Sequence, residues 1–176
     1  MTNYDAKVDN VMGRRCRVFE SIYSLRNNNK NSFNSLLKFN VMNPNKALWE
    51  KGDFTRIAET MRESGEALVA ELNIIKDLNV LDLGCGDGTT AIPEARLGAN
   101  VLGVDIARNL VESGNARAKA YGLTNCTFRE GDATDLQEQE DESFDLVVSI
   151  FGAMFAPKPF DVAKEMVRVT GPGGRI

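Results

Sequence analysis

Three carboxylates and a run of glycines are the residues of this chain with the clearest chemistry to offer. Val80-Leu81-Asp82-Leu83 is a short apolar run that carries one acid and breaks into Gly84-Cys85-Gly86-Asp87-Gly88, with glycines spaced G-x-G-x-G. A second acid, Asp105, ends the run Val101-Leu102-Gly103-Val104, and a third, Asp132, sits in Gly131-Asp132-Ala133. Glycines let the backbone take positive φ and approach a ligand closely. A carboxylate at a strand end can accept hydrogen bonds from both hydroxyls of a ribose. An acid beside the glycine motif, at Asp82, would repel the phosphates of a dinucleotide and suit a cation. Together these residues favour a cationic, phosphate-free nucleoside. The chain has no histidine, which removes histidine metal sites, Ser-His triads and a histidine general base.

Such residues need strands to hold them. The apolar pattern predicts strands over residues 80–83, 100–104, 126–129 and 144–150, with a fifth beginning at Gly174. Helices are predicted over 89–97, with Pro93 near the start, over 107–121, closed by Gly122, and over 160–169. Upstream, Ile57, Met61, Leu68 and Leu72 recur at helical intervals and predict one helix over 54–72, with Asp53 or Thr55 as its N-cap. Repeated βα units of this length imply parallel strands joined by right-handed crossovers, a doubly wound α/β sheet.

Bulk properties narrow the options further. A length of 176 residues suits one domain. The net charge of -4 is unevenly spread: residues 1–45 form a basic, Asn-rich extension, and the acidic remainder lacks the clustered cations a nucleic-acid groove needs. Cys16, Cys85 and Cys126 show no C-x-x-C spacing, and with no secretory signal they read as reduced thiols in a cytoplasm. No apolar run approaches the ~20 residues of a membrane span.

Residues 80–90 resemble the first motif of class I S-adenosylmethionine (SAM)-dependent methyltransferases. Gly103-Val104-Asp105-Ile106, Gly131-Asp132-Ala133 and Phe144-Asp145-Leu146-Val147-Val148 follow in that family's order. Gly171-Pro172-Gly173-Gly174 is similar to its L-K-P-G-G turn, with Gly171 where a cation is usual. The resemblance covers residues 46–176 and points to the ubiquinone- and menaquinone-biosynthesis-like small-molecule methyltransferases. It implies a Rossmann-like, mostly parallel sheet with helices on both faces, SAM as cofactor, and methyl transfer to a small-molecule acceptor. The N/D-P-P-Y motif of many nucleic-acid and protein amino-methylating enzymes is absent.

By the same resemblance, Gly84, Cys85 and Gly86 pack against the methionine part of SAM, and Asp82 faces its ammonium directly or through water. Asp105 takes the ribose hydroxyls and Ile106 one adenine face. Asp132 accepts the adenine amino group, and the Ala133 N–H meets a ring nitrogen. Ser149, Ile150 and Phe151 lie beside the methyl-transfer site, and Gly52 belongs to a loop that folds over SAM. Trp49 reads as a packing residue, and Phe151, Met154 and Phe155 read as core ahead of an acceptor pocket. The family continues past the fifth strand with a helix and an antiparallel hairpin. The chain therefore reads as truncated within that strand, with C-terminal strands missing and a sheet edge open to self-association. Two rivals are a catalytically silent SAM-binding fragment or scaffold module, and a NAD-dependent oxidoreductase. The latter requires G-x-G-x-x-G, and Thr89 stands in place of its third glycine.

Overall fold

A computed structural model describes Asn43 and residues 45–176, all within the unit Met42–Ile176. The basic extension expected over residues 1–45 lies outside the described residues, apart from Asn43 and Asn45. Five strands form one sheet: β1 (Asn79–Leu83), β2 (Asn100–Asp105), β3 (Cys126–Glu130), β4 (Phe144–Val148) and β5 (Thr170–Arg175). Their order is β3-β2-β1-β4-β5, and every pairing is parallel. The helices are α1 (Lys46–Lys51), α2 (Phe54–Thr60), α3 (Arg62–Glu71), α4 (Ala91–Arg96), α5 (Arg108–Ala120) and α6 (Pro159–Val169). A 3-10 turn spans Ala153–Phe155.

The core lies on both faces of the sheet, as a doubly wound order requires. Val80 of β1 and Leu146 and Val148 of β4 pack on one face with Ala91, Ile92 and Ala95 of α4 and Val111 and Ala118 of α5. Leu81, Leu83 and Val147 pack on the other with Leu136, Val169 and Met166. Strand order reverses at β1, between β2 and β4, so a crevice opens beyond the carboxyl ends of those strands.

Three expected elements differ in extent. The single helix expected over 54–72 is two helices, broken at Met61 (φ -105°, ψ 0°). There the Thr60 hydroxyl donates to the Ile57 carbonyl at 2.7 Å, and the Met61 N–H turns back to Ala58. The fourth strand stops at Val148 instead of residue 150 because the Ser149 hydroxyl donates to Leu83 O (2.7 Å) and accepts from Ala153 N (2.9 Å). The fifth begins at Thr170 rather than Gly174, and an irregular register between Phe144 and Leu146 absorbs the Gly-Pro-Gly-Gly turn as a bulge.

Glu94 is the chemical outlier of this core. It is fully buried, and neither carboxyl oxygen has a hydrogen-bond partner. Burial, assisted by the nearby Asp82, pushes its pKa up to about 9, so at neutral pH it is a protonated acid. An acid whose folded value lies above its unfolded one contributes stability that is full below pH 4.5 and lost as the pH rises toward 9. At pH 8 the unfolded-state ionisation costs on the order of 4–5 kcal/mol, against roughly 1–3 kcal/mol for burying an unpaired amide. Glu94→Gln is therefore expected to raise stability by about 2 kcal/mol at pH 8 and to lower it by about 2 kcal/mol at pH 4.5, where only the cost of the unpaired amide remains. Urea unfolding at the two pH values checks this.

Candidate functional site

The crevice holds a cavity of about 580 Å³, within the usual range for small-molecule sites. The loops after four strands form its walls: Gly84, Cys85 and Gly86 after β1, Asp105 and Ile106 after β2, Asp132 and Ala133 after β3, and Ile150 to Gly152 after β4. The N-terminal helices form the remaining side with Trp49, Phe54, Ile57, Met61 and Leu68.

The glycine loop takes its shape from main-chain contacts. Gly84 has φ +66°, donates to Val104 O at 2.7 Å, and lies back to back with Gly152. A Cβ on Gly84 would stand 2.4 Å from the Gly152 Cα. Gly86, at φ +56°, has nothing within 4 Å of where a Cβ would be. Gly84 thus closes the loop onto the strand-4 turn, and Gly86 leaves bare backbone at the cavity wall.

Asp105 is built into that loop. Its Oδ2 accepts from Gly86 N and its Oδ1 from Ala107 N, both at 2.9 Å. Burial raises its pKa, against the lowering effect of the Ala107, Gly86 and Ile106 backbone donors and of Lys46. A carboxylate has about four lone-pair sites, so each oxygen keeps one for a ligand. Asp132 is similarly oriented: Oδ1 accepts from Thr134 N (2.9 Å) and Oγ1 (2.8 Å), and Oδ2 from Asn43 Nδ2 (3.0 Å). Burial would raise its pKa, but those donors and Lys158 prevail and hold it below the ordinary aspartate value.

Asp82, Ser149 and Gly52 stand elsewhere. Asp82 is buried beneath the cavity floor, because strand alternation puts its side chain under α4, on the face that carries Val80. Its Oδ2 accepts from the Thr90 hydroxyl at 2.5 Å, and Thr90 itself lines the cavity. Burial pushes the Asp82 pKa to about 6; the Thr90 and Ala91 donors oppose the rise and Asp105 adds to it. Any influence of Asp82 on a ligand therefore passes through Thr90. Ser149 serves the turn after β4, as described above. Gly52 joins α1 to α2, pressed so closely on Phe54 that a Cβ would meet the ring at 2.4 Å. Cys85 does line the cavity, and burial holds its thiol well above the usual value, so it packs as a neutral group.

Other contributors carry no sequence signal that separates a cavity wall from packing. Trp49 is a wall residue rather than only packing, with its ring centroid 4.9 Å from Phe54 and 5.3 Å from Phe155. Phe151, Met154 and Phe155 are exposed rather than core, and Phe151 and Phe155 border the cavity. Phe151 adopts φ +63°, a left-handed conformation unusual for an aromatic residue. Asp87, buried behind the loop, pairs with Arg62 of α3 and with Arg117 of α5. Arg62 also donates to Thr89 Oγ1 at 2.6 Å, tying α3 to the glycine loop. Lys46 fastens α1 across the cavity rim through Glu130 (2.7 Å) and Ile106 O (2.9 Å). Asn45 reaches the opposite rim at Phe155 O (2.9 Å).

A profile of the methyltransferase domain matches residues 80–174, more than half of the chain. The chain belongs to the methyltransferase domain family. The cofactor of these methyltransferases is SAM, and the order β3-β2-β1-β4-β5 is the Rossmann-like sheet expected of them. An uncharacterised protein of Mycobacterium tuberculosis is 40% identical over 132 residues, which are 74% of this chain and 47% of that one. A ubiquinone biosynthesis O-methyltransferase of Maricaulis maris is 36% identical over 97 residues, 55% of this chain and 38% of that one. Among solved structures, an arsenic(III) S-adenosylmethionine methyltransferase of Chlamydomonas reinhardtii is 37% identical with a TM-score of 0.54, over 57% of this chain and 38% of that one. The chain spans about half the length of the curated relatives it matches. Among the described residues no helix is long and apolar enough to cross a membrane. The methyltransferase cavity fits its cofactor on its own terms: two fixed carboxylates stand at the ends of neighbouring strands, and unobstructed glycine backbone lies beside them.

Proposed function

We propose that the protein transfers a methyl group from SAM to a small, largely apolar acceptor. The observation that carries this reading is the convergence of Asp105, Asp132 and the open backbone at Gly86 on one cavity whose far side is aromatic and aliphatic. Bound there, SAM supplies an electrophilic methyl group on a sulfonium. Asp105 accepts the two ribose hydroxyls with its remaining lone pairs. Asp132 and the Ala133 N–H meet the adenine edge, and Ile106 and Leu110 supply apolar contact. Thr90, its own proton committed to Asp82, offers a hydroxyl oxygen to the ammonium of the methionine part. Trp49, Phe54 and Phe155 exclude water and hold the acceptor.

The ionisable side chains that line the cavity are Cys85, Asp87, Asp105 and Asp132, and each is packed or paired as described. The chain's contribution to rate is therefore alignment of two bound reactants and exclusion of water. The ubiquinone O-methyltransferase and arsenic(III) methyltransferase relatives both act on small acceptors by name, which supports the reading.

Calorimetric titration of the 176-residue chain with SAM and with S-adenosylhomocysteine tests it, followed by transfer of labelled methyl to a panel of phenols. Saturable binding of both nucleosides is expected. The Asp82 route adds a pH signature. With its pKa near 6, Asp82 is ionised at pH 7.5 and mostly protonated at pH 5, so SAM should bind about tenfold more weakly at pH 5. Asp82→Asn should bind no more tightly than the parent at pH 5, and equally at both pH values. A folded chain that binds neither nucleoside would overturn the assignment.

A further inference from the structure

Asp132 does not meet the cavity with a free carboxylate. Thr134 fixes its Oδ1 through two hydrogen bonds, and the side-chain amide of Asn43 donates to Oδ2 at 3.0 Å. The orientation of that amide is determined by its surroundings: Asn43 Oδ1 accepts from Asn45 N at 3.1 Å, so the nitrogen end must face Asp132. Asn43 and Asp132 both border the cavity. A primary carboxamide presents an N–H₂ donor conjugated to an adjacent acceptor, the same edge pattern as the exocyclic amine and neighbouring ring nitrogen of adenine.

We propose that Asn43 occupies, in the free protein, the Asp132 oxygen that the adenine amino group takes, and that cofactor binding displaces it. The inference rests on the assignment of Asp132 to adenine made above. Asn43 also braces the turn that leads into α1, two residues before the N-cap Asn45: its main-chain oxygen accepts from Lys46 N at 3.0 Å and its side-chain oxygen from Asn45 N. Displacing it therefore loosens the first turn of the helix that Lys46 and Asn45 pin to the two rims of the cavity. Entry of the adenosyl group and release of the helix become one event. When the spent cofactor leaves, Asn43 returns to Asp132. The residue thus lowers affinity for both forms of the cofactor and speeds product release.

The rival arrangement keeps Asn43 in place, since a carboxylate oxygen has two lone pairs and could serve both donors. Affinity separates the two. The experiment is calorimetric titration of the full chain with SAM and with S-adenosylhomocysteine for the parent, Asn43→Ala, Asn43→Ser, Asp132→Asn and the double variants. Serine keeps an oxygen that can accept from Asn45 N but lacks the amide donor, which guards against simple loss of the turn into α1. The proposal expects Asn43→Ser to bind both nucleosides about 5–10-fold more tightly, the scale of one ordinary net hydrogen bond. It also expects that gain to vanish in the Asp132→Asn background, as a double-mutant cycle would show. Unchanged or weaker binding by Asn43→Ser, with the parent binding normally, overturns the displacement and leaves the cofactor site standing. No binding by any variant, the parent included, overturns both.

Discussion

Asp105→Ala is expected to weaken SAM binding about a hundredfold. Two hydrogen bonds from ribose hydroxyls to an ionised carboxylate contribute roughly 3 kcal/mol together, and a factor of ten in affinity corresponds to about 1.4 kcal/mol. The same carboxylate also holds Gly86 N and Ala107 N at 2.9 Å each, so the substitution releases the glycine loop and the entry to α5 as well. Asp105→Asn distinguishes the two effects. One amide oxygen can still accept a backbone N–H, but the amide nitrogen turns the second acceptor into a donor that opposes Gly86 or Ala107. The asparagine variant should therefore keep one of the two loop contacts, losing about 1–3 kcal/mol of stability, and lose most of the binding. Thermal unfolding and calorimetric titration of both variants check this. Binding by Asp105→Ala within threefold of the parent would remove Asp105 from the site.

Gly84 and Gly86 should lose very different amounts of stability to the same substitution. Gly84→Ala puts a Cβ 2.4 Å from the Gly152 Cα and 3.0 Å from its carbonyl carbon, a clash of backbone with backbone that no rotamer can relieve. The residue also sits at φ +66°, where an L side chain costs about 1 kcal/mol. Overpacking of this kind adds typically 1–3 kcal/mol, so a total loss near 3 kcal/mol is expected, with the loops after β1 and β4 forced apart and the cavity lost. Gly86→Ala meets no atom within 4 Å and should lose only about 1 kcal/mol of stability, from its positive φ. Its methyl group enters the cavity, so SAM binding should fall although the chain folds. Urea unfolding and titration on both variants give the comparison. A Gly84→Ala chain as stable as Gly86→Ala would show that the glycine contact is not what seals the loop.

The strand-end residues were legible because their signals are local. A glycine cluster after an apolar run, an acid ending the next run and a Gly-Asp pair after the third need only the order of residues, and βα spacing then places them together. Asp82 was legible as a member of that set but not in its depth. A central strand buried on both faces reads as a continuous apolar run, so the sequence did not say which face carried its acid. The break at Met61 depends on one threonine hydroxyl reaching back to Ile57, and helical periodicity continues across it undisturbed. Trp49, Phe151 and Phe155 are apolar, and apolarity alone does not separate a cavity wall from a core. Asn43 lies at the end of a segment without periodic pattern, and its place against Asp132 depends on a tertiary approach between residues 89 positions apart. Glu94 was hidden for the opposite reason: in a short helix it reads as an ordinary surface acid, and only the packing of α4 on the sheet buries it.

The order β3-β2-β1-β4-β5 has a consequence for how the chain comes into being. β1 is the axis of the sheet, pairing on one side with β2 and on the other with β4, where Val80 meets Leu146. During synthesis β1 and β2 emerge early, and the second edge of β1 then waits for some 66 further residues to be made. At about 5–20 residues per second that wait is roughly 3–13 s, far longer than collapse of a short chain or closure of a loop. Throughout it, Leu81 and Leu83 lack the Val147 layer that buries them in the finished molecule. The nascent chain thus passes through an interval as an unfinished half-sheet with a bare apolar margin, the kind of species that ribosome-bound chaperones shield and that crowded polysomes aggregate.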